Sequence, residues 1–243
     1  MKTIIVRMAN IKIILSLFVG LGIIYSIATP IFEASDEVSH YAVIQNIIDG
    51  QGLPVQQVGV KTAWEQEGSQ PPLYYVLMAV ATEWINTSDA AERMYRNPHA
   101  APGDPSLDAN RNLVIHSDAE NFPWRGTTLA VHFIRLLSIV LGALTVLIGY
   151  RIAQRIFPDQ PSIALGTTAL IAFNPMFLFI SASVNNDNLT ILLSGLAIYL
   201  TIRCWQEAGG LLDRSGWVRR VVLGIVLGLA ALSKISGLTL LPI

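Results

Sequence analysis

"QPPLYYVLMAVATEWI", residues 70–85, decides how this chain is threaded through a membrane. The run is apolar up to Glu83, yet shorter than the roughly 20 residues a helix needs to cross a bilayer. If it did cross, every later span would be inverted. Arg151 and Arg155 would then lie outside with the 203–220 cluster, against the tendency of Lys and Arg to stay on the cytoplasmic side. Residues 71–85 are better read as an interfacial or re-entrant helix. Pro71 and Pro72 suit its first turn, and Tyr74, Tyr75 and Trp84 are amphipathic aromatics that settle at headgroup level.

With that stretch kept out of the count, five longer apolar runs remain, at 11–31, 128–150, 162–184, 189–205 and 221–243. The composition agrees: 52% of the residues are hydrophobic and only 14% charged, with a mean hydropathy of +0.51, too apolar for a soluble domain. Lys2, Arg7 and Lys12 precede the first run and carboxylates follow it, which places the N-terminus in the cytoplasm. A signal peptide cut near Ser26-Ile27-Ala28 is the rival, but the run is long for one. If each run crosses once, the basic clusters at 2–12, 151–155 and 203–220 share one side.

The expectation is an all-α, multi-pass protein of the plasma (inner) membrane. Residues 1–31 form the N-terminus and first span. Residues 32–128 form an exterior loop with surface helices at about 36–49 and 71–85, and 129–243 hold four further spans. The loop carries thirteen of the seventeen acidic residues, so it is where chemistry is expected. The net charge of -1 says little by itself in a membrane protein, where placement of charge matters. Nucleic acid is not an expected partner, and Cys204, the single cysteine, leaves no disulfide framework or cysteine-based metal centre. The end at Leu241-Pro242-Ile243, without a polar tail, suggests a piece of a longer protein.

"FEASDEVSHY", residues 32–41, opens the loop. Ser35 is a good N-cap, Asp36 and Glu37 sit in a first turn where acids are favoured, and Gly50 and Gly52 can end a helix near Asp49. Tyr41, Ile44, Ile47 and Ile48 fall near one face, as in an amphipathic helix on a membrane surface. The plain account is capping and helix-dipole interaction. The functional one rests on position, since ionised Asp36 and Glu37 near the membrane suit a general base or oxygen ligands for a divalent cation. His40 shares a face with Asp36. Glu37-x-x-His40 is also half of a di-iron signature, without a second copy.

"FISASVNNDNLT", residues 179–190, puts Asn185, Asn186 and Asp187 between two spans, either as a polar turn or as amides and a carboxylate beside the first helix. Arg135 lies roughly 10 Å below the exterior end of its run at 1.5 Å per residue, and Lys234 lies in the outer half of the last. Cations in spans face a partner or a polar cavity, with snorkelling as the alternative. Together with His132, one turn before Arg135, they suit the phosphate of a lipid carrier. The chain has no Gly-rich phosphate loop, His-Glu-x-x-His or Gly-x-Ser-x-Gly motif.

Taken in order, "DEVSHY", "QPPLYY", "RLLSIVLGALTVLIGYRIAQRIF", "NPMFLFISASVNNDN" and "GLAALSKISGL" resemble the N-terminal module of the GT-C superfamily of multi-pass glycosyltransferases. That superfamily includes protein O-mannosyltransferases and aminoarabinose transferases of lipid A, and the nearest likeness is to a related bacterial multi-pass domain. The resemblance implies that Asp36, with Glu37 adjacent, is the catalytic base or a metal-site carboxylate. It also implies that the helix after Pro71 and Pro72 lies at the membrane surface, and that the donor is a sugar on a polyprenyl phosphate delivered from the membrane lipid. Arg135, Lys234 and His132 become candidates for the donor phosphate, and His40, Tyr41, Gln70, Tyr74, Asn185, Asn186 and Asp187 for the acceptor or pocket. Many family members carry a basic residue where this chain has Gln70. No cofactor is called for beyond a divalent cation that Asp36 and Glu37 would hold. The implied reaction is inverting transfer to an acceptor hydroxyl, with activity expected of a full-length protein rather than of a fragment. Rival readings are a non-catalytic subunit of envelope polysaccharide assembly and, more weakly, a transporter.

Overall fold

In hydrocarbon the backbone has no partner but itself, so long apolar runs fold as helices whose bonds are internal. A computed structural model describes residues 2–100, 112–206 and 214–240. In chain order its helices are α1 (Lys2–Ala28), α2 (Glu37–Ile48), α3 (Leu73–Thr82), the single turn α4 (Ala90–Arg93), α5 (Gly126–Ile156), α6 (Pro161–Ala172), α7 (Pro175–Ser181), α8 (Asp187–Gln206) and α9 (Arg214–Ser233). Short 3₁₀ turns occur at Glu65–Ser69, Asp118–Glu120 and Ile235–Leu240. The protein is an all-α integral membrane protein: α1, α5, α8 and α9 are each long and apolar enough to cross a bilayer. Helix α5 packs against α1, α6 and α8, and α8 packs against α9.

The run at 162–184, expected as one straight span, is broken. Helices α6 and α7 meet at an angle of 61°. Pro175 cannot continue a helix, and the Asn174 side chain accepts the Met176 and Phe177 amides, at 3.0 and 3.2 Å, to start a new one. The pair still runs the length of the bundle. Ala164 packs with Ile11, Tyr150 and Ala153 at one end, and Val184, just past α7, reaches the start of α2 at the other. Taken as one broken span, the pair brings the candidate crossings from four to five.

The last expected span, 221–243, also ends early. Helix α9 stops at Ser233, and the chain turns back as the Ile235–Leu240 turn, where Gly237 lies so close to the Ala230 carbonyl that no Cβ would fit. Residues 241–243 of that run, 101–111 of the exterior loop and 207–213 within the 203–220 basic cluster lie outside the described residues.

The described residues of 32–125 gather at one end of the bundle, the loop face. Helix α3 spans about 15 Å at 1.5 Å per residue, half a membrane's core. It buries Tyr74, Tyr75 and Met78 and exposes Val76, Leu77 and Val80, with Trp84 beyond. Helix α2 is more enclosed than a surface helix: its first nine residues, Glu37 to Gln45, are buried. Its cap is also displaced by one residue. Asp36 takes the N-cap place that Ser35 was expected to fill, in the left-handed region at φ 57°, with no capping side-chain bond.

The rest of the loop is pinned at two points. Glu33 accepts the Leu113 amide at 2.8 Å and the Val114 amide at 3.2 Å, and contacts His116 Nε2 at 2.9 Å. Asp89 accepts the Thr127 amide and hydroxyl at 2.9 and 2.7 Å. Burial alone would raise the Asp89 pKa, but these bonds from Thr127 and one from Arg93 bring it below the usual range.

Candidate functional site

Two clusters of charge form where α2 enters the core. In the first, Glu37 and Arg135 are both 0% exposed. Arg135 Nε donates to Glu37 Oε1 at 2.8 Å and Nη2 to Oε2 at 2.5 Å. Nη1 donates to the Ser26 and Thr29 carbonyls, both at 2.7 Å, and Nη2 also to the Pro30 carbonyl at 3.0 Å. These bonds use all five N–H donors of a guanidinium. Glu37 is equally satisfied, accepting the Phe32 and Val184 amides at 2.8 Å each. The pair ties the end of α1, the start of α2, α5 and the turn before α8 into one knot. It leaves Arg135 no donor for a lipid phosphate and Glu37 no lone pair for a proton or a metal.

The second cluster is more open. Asp36 is exposed at the head of α2, and Lys234 Nζ donates to Asp187 Oδ1 at 2.7 Å, with both side chains partly exposed. Beneath them His40 is buried, its Nδ1 2.9 Å from the Tyr75 hydroxyl and 3.6 Å from Glu67 Oε2. Tyr75 donates to Glu67 Oε2 at 3.5 Å. Burial lowers the His40 pKa to about 4, against the pull of Asp36, with Lys234 lowering it further and Asp187 and Glu37 opposing. The ring is therefore neutral at physiological pH. Burial likewise raises the pKa of Glu67, although Gln66, Lys234 and Tyr75 act the other way. The charges of Asp36, Asp187 and Lys234 thus all bear on one buried imidazole, which itself ties α2 to α3 and to the Glu65–Ser69 turn.

The remaining sequence candidates divide between scaffold and vicinity. Tyr41 is buried against Phe32, ring centroids 5.4 Å apart, and bonds Gln45, which puts it in the core instead of a pocket. Tyr74 accepts the Asn185 amide at 3.1 Å and lies 3.5 Å from Ser138 Oγ, bridging α3, α5 and the turn before α8. In that turn Asn185 Oδ1 caps the Asp187 amide at 2.8 Å, and Asn186 Nδ2 reaches the Ser233 carbonyl at 3.3 Å, while Asn186 Oδ1 has no partner. Gln70 likewise holds a buried Oε1 without a partner. His132 stacks on Trp124, 3.7 Å between ring centroids, away from Lys234. The three expected phosphate ligands are thus not brought together: Arg135 is consumed by Glu37, His132 faces α1, and Lys234, placed by sequence inside a span, sits just past the end of α9.

Glu67 and Tyr75 are the additions sequence reasoning did not make. Glu67 stands three residues before Gln70 in a polar stretch, where nothing local distinguishes it from a solvated acid, yet it is only 5% exposed. A divalent cation shared by Asp36 and Glu37 does not fit, because both Glu37 oxygens are already bonded to Arg135. Among the described residues no three His, Cys, Asp or Glu side chains form a metal-holding group.

Comparison with known proteins yields one family. The model for dolichyl-phosphate-mannose-protein mannosyltransferases matches residues 130–243, just under half of the chain. It supports a GT-C-type membrane glycosyltransferase and nothing finer. The matched part contains Arg135, Asp187 and Lys234 but stops short of Asp36, His40 and Glu67. No curated protein and no solved structure gives a significant match.

Proposed function

We propose that this chain carries the donor-side module of an inverting glycosyltransferase. In that reading it moves a sugar from a polyprenyl phosphate to an acceptor hydroxyl at the loop face, which the expected orientation puts outside the plasma membrane. One observation carries the reading: Asp36 is exposed at φ 57°, at the head of a helix otherwise buried and locked by Glu37. Phe32 and Glu65 share a positive φ, and Asp is among the residues that tolerate that region. What sets Asp36 apart is that this turn holds its carboxylate exposed beside a buried helix start. The neighbouring carboxylates are occupied, Glu33 by backbone amides and His116, Glu37 by Arg135, and Glu67 by burial.

The chemistry follows from the placement. Asp36 takes the proton of the acceptor hydroxyl as its oxygen attacks the anomeric carbon from the face opposite the lipid. The carbon–oxygen bond to the lipid phosphate breaks, and the departing phosphate takes up the bonding pair. Lys234, held toward the site by Asp187, sets its ammonium against that developing charge. Neutral His40 with Tyr75 and Glu67 forms the buried floor that positions the start of α2. No step is routed through a metal.

The test is sugar transfer from a radiolabelled polyprenyl-phosphate sugar in membranes carrying the full-length protein. Asp36→Asn is expected to lower transfer by roughly 10²–10⁴-fold, the usual worth of a positioned base, with the thermal unfolding midpoint unchanged. Unaltered transfer would remove Asp36 from the mechanism and favour a non-catalytic assembly role.

A further inference from the structure

On the far side of the Glu37–Arg135 knot a groove runs between α1 and α5. Its lower part is a cavity of about 300 Å³ walled by Ile23, Ile27, Leu129, Phe133, Leu136 and Ile139, almost wholly apolar. Its upper part, about 460 Å³, is edged by Thr29, His116, Glu120 and Asn121. Ile27, Trp124 and His132 line both, so the two are continuous and grade from apolar to polar toward the loop face. The volumes fall in the roughly 300–1,000 Å³ range of small-molecule sites.

Three observations select the occupant. First, Ile27 and Leu136 at the rim are 58% and 46% exposed on membrane-spanning helices. The lower part therefore opens sideways, at the depth of the bilayer's hydrocarbon chains. Second, His132 is 9% exposed, lines the groove, and its Nδ1 has no hydrogen-bond partner. A buried polar nitrogen left unpaired is costly, and an ester oxygen or glycerol hydroxyl at that height would satisfy it. Third, neither part of the groove is lined by Lys or Arg. At the mouth His116 is held between Glu33 and Glu120, leaving no free cation to bind the phosphate of a polyprenyl carrier inside the groove, whereas a bilayer glycerophospholipid needs none there because its phosphate stays in the water beyond the mouth.

We propose that this groove is a structural lipid site that holds one acyl chain of a bilayer glycerophospholipid, with the ester region at His132 and the headgroup at the mouth. The site is separate from the donor site proposed above and does not depend on it.

Native mass spectrometry of the full-length protein, released from nanodiscs of phosphatidylethanolamine and phosphatidylglycerol, tests the proposal. The unsubstituted protein should retain one phospholipid. Ile27→Trp, which fills the opening from an exposed position, should lower that retention at least tenfold. Leu144→Trp, on the exposed side of α5 outside the groove, should leave it unchanged. His132→Phe keeps an aromatic ring on Trp124 and removes the polar atom, and should weaken retention several-fold. It serves as the deciding variant if Ile27→Trp does not fold. Equal retention by the groove variants and the unsubstituted protein would overturn the proposal. So would the absence of any retained lipid, or a polyprenyl phosphate retained after extraction from native membranes in place of a phospholipid.

Discussion

Glu37 and Arg135 have left water together, and neither could have done so alone. Desolvating an isolated charge costs several kcal/mol, which a close bidentate geometry with every remaining lone pair and N–H satisfied can offset. Glu37→Gln therefore strands a buried guanidinium and is expected to cost about 3–5 kcal/mol, read as the shift of an SDS-unfolding midpoint. The double change Glu37→Leu with Arg135→Met should recover only part of the loss, because it removes the stranded charge but leaves the Phe32 and Val184 amides and the Ser26, Thr29 and Pro30 carbonyls without these partners. A single variant as stable as the unsubstituted protein would refute the knot. His116 offers a test by pH. Burial alone would lower its pKa, but the bonds to Glu120 and Glu33 more than offset that and raise it. A base whose folded pKa is raised adds stability that is fully present below its unfolded pKa, 6.5, and lost as pH rises through the folded value. Hydrogen exchange at the Leu113 and Val114 amides should accelerate over that window beyond its ordinary base-catalysed rise, and His116→Gln should abolish the extra step. The His40 ring, its pKa lowered to about 4 by burial, should show no NMR titration between pH 5.5 and 8. Both members of the knot stand out in the sequence as a carboxylate and an intramembrane cation. Nothing local says that they meet across 98 residues, because pairing is a property of the packed helices.

Among the elements, α5 is the organiser, and it comes close to its neighbours at Gly142. A Cβ there would lie 2.7 Å from Ser181 Oγ and 2.9 Å from Phe18 Cζ, so α1, α5 and α7 meet at a point that admits no side chain. Gly142→Ala should destabilise the bundle by about 1–3 kcal/mol, as overpacking does, whereas Gly166→Ala, with open space around its Cβ position, should not. Equal midpoints for the two in a thermal unfolding series would contradict this packing. The element boundaries that sequence misplaced are the ones set by competition between neighbours. Hydropathy runs unbroken through 162–184, but Asn174 and Pro175 reset the helix there. Apolar sequence also continues past Ser233, where the chain prefers to fold back on α9 at Gly237. The position of α2 was legible as a helix and not as a buried one, since its hydrophobic face is modest and the polar residues on the other side are covered by α3 and the turns.

For the whole molecule, the described contacts place both ends of every crossing. Cys204 belongs with Arg155 and Gln206 at the end opposite the loop face, and Val58 is exposed on the loop face. A membrane-impermeant maleimide applied to intact cells should label Val58→Cys in a Cys204→Ser background and leave native Cys204 unlabelled. The reverse pattern would invert the orientation expected from the basic clusters. Sequence alone determined that the chain is helical and membrane-embedded, and that its acidic residues concentrate between the first two long apolar runs. Those conclusions rest on run length, composition and charge placement, which are additive along the chain. Only the tertiary structure decided which charges are locked in the interior and which stay open to solvent: Glu37 with Arg135 against Asp36 and the Lys234–Asp187 pair, with Glu67 drawn into the interior. Burial and pairing depend on residues far apart in sequence, and their energies come from low dielectric and geometry that exist only once the helices have packed.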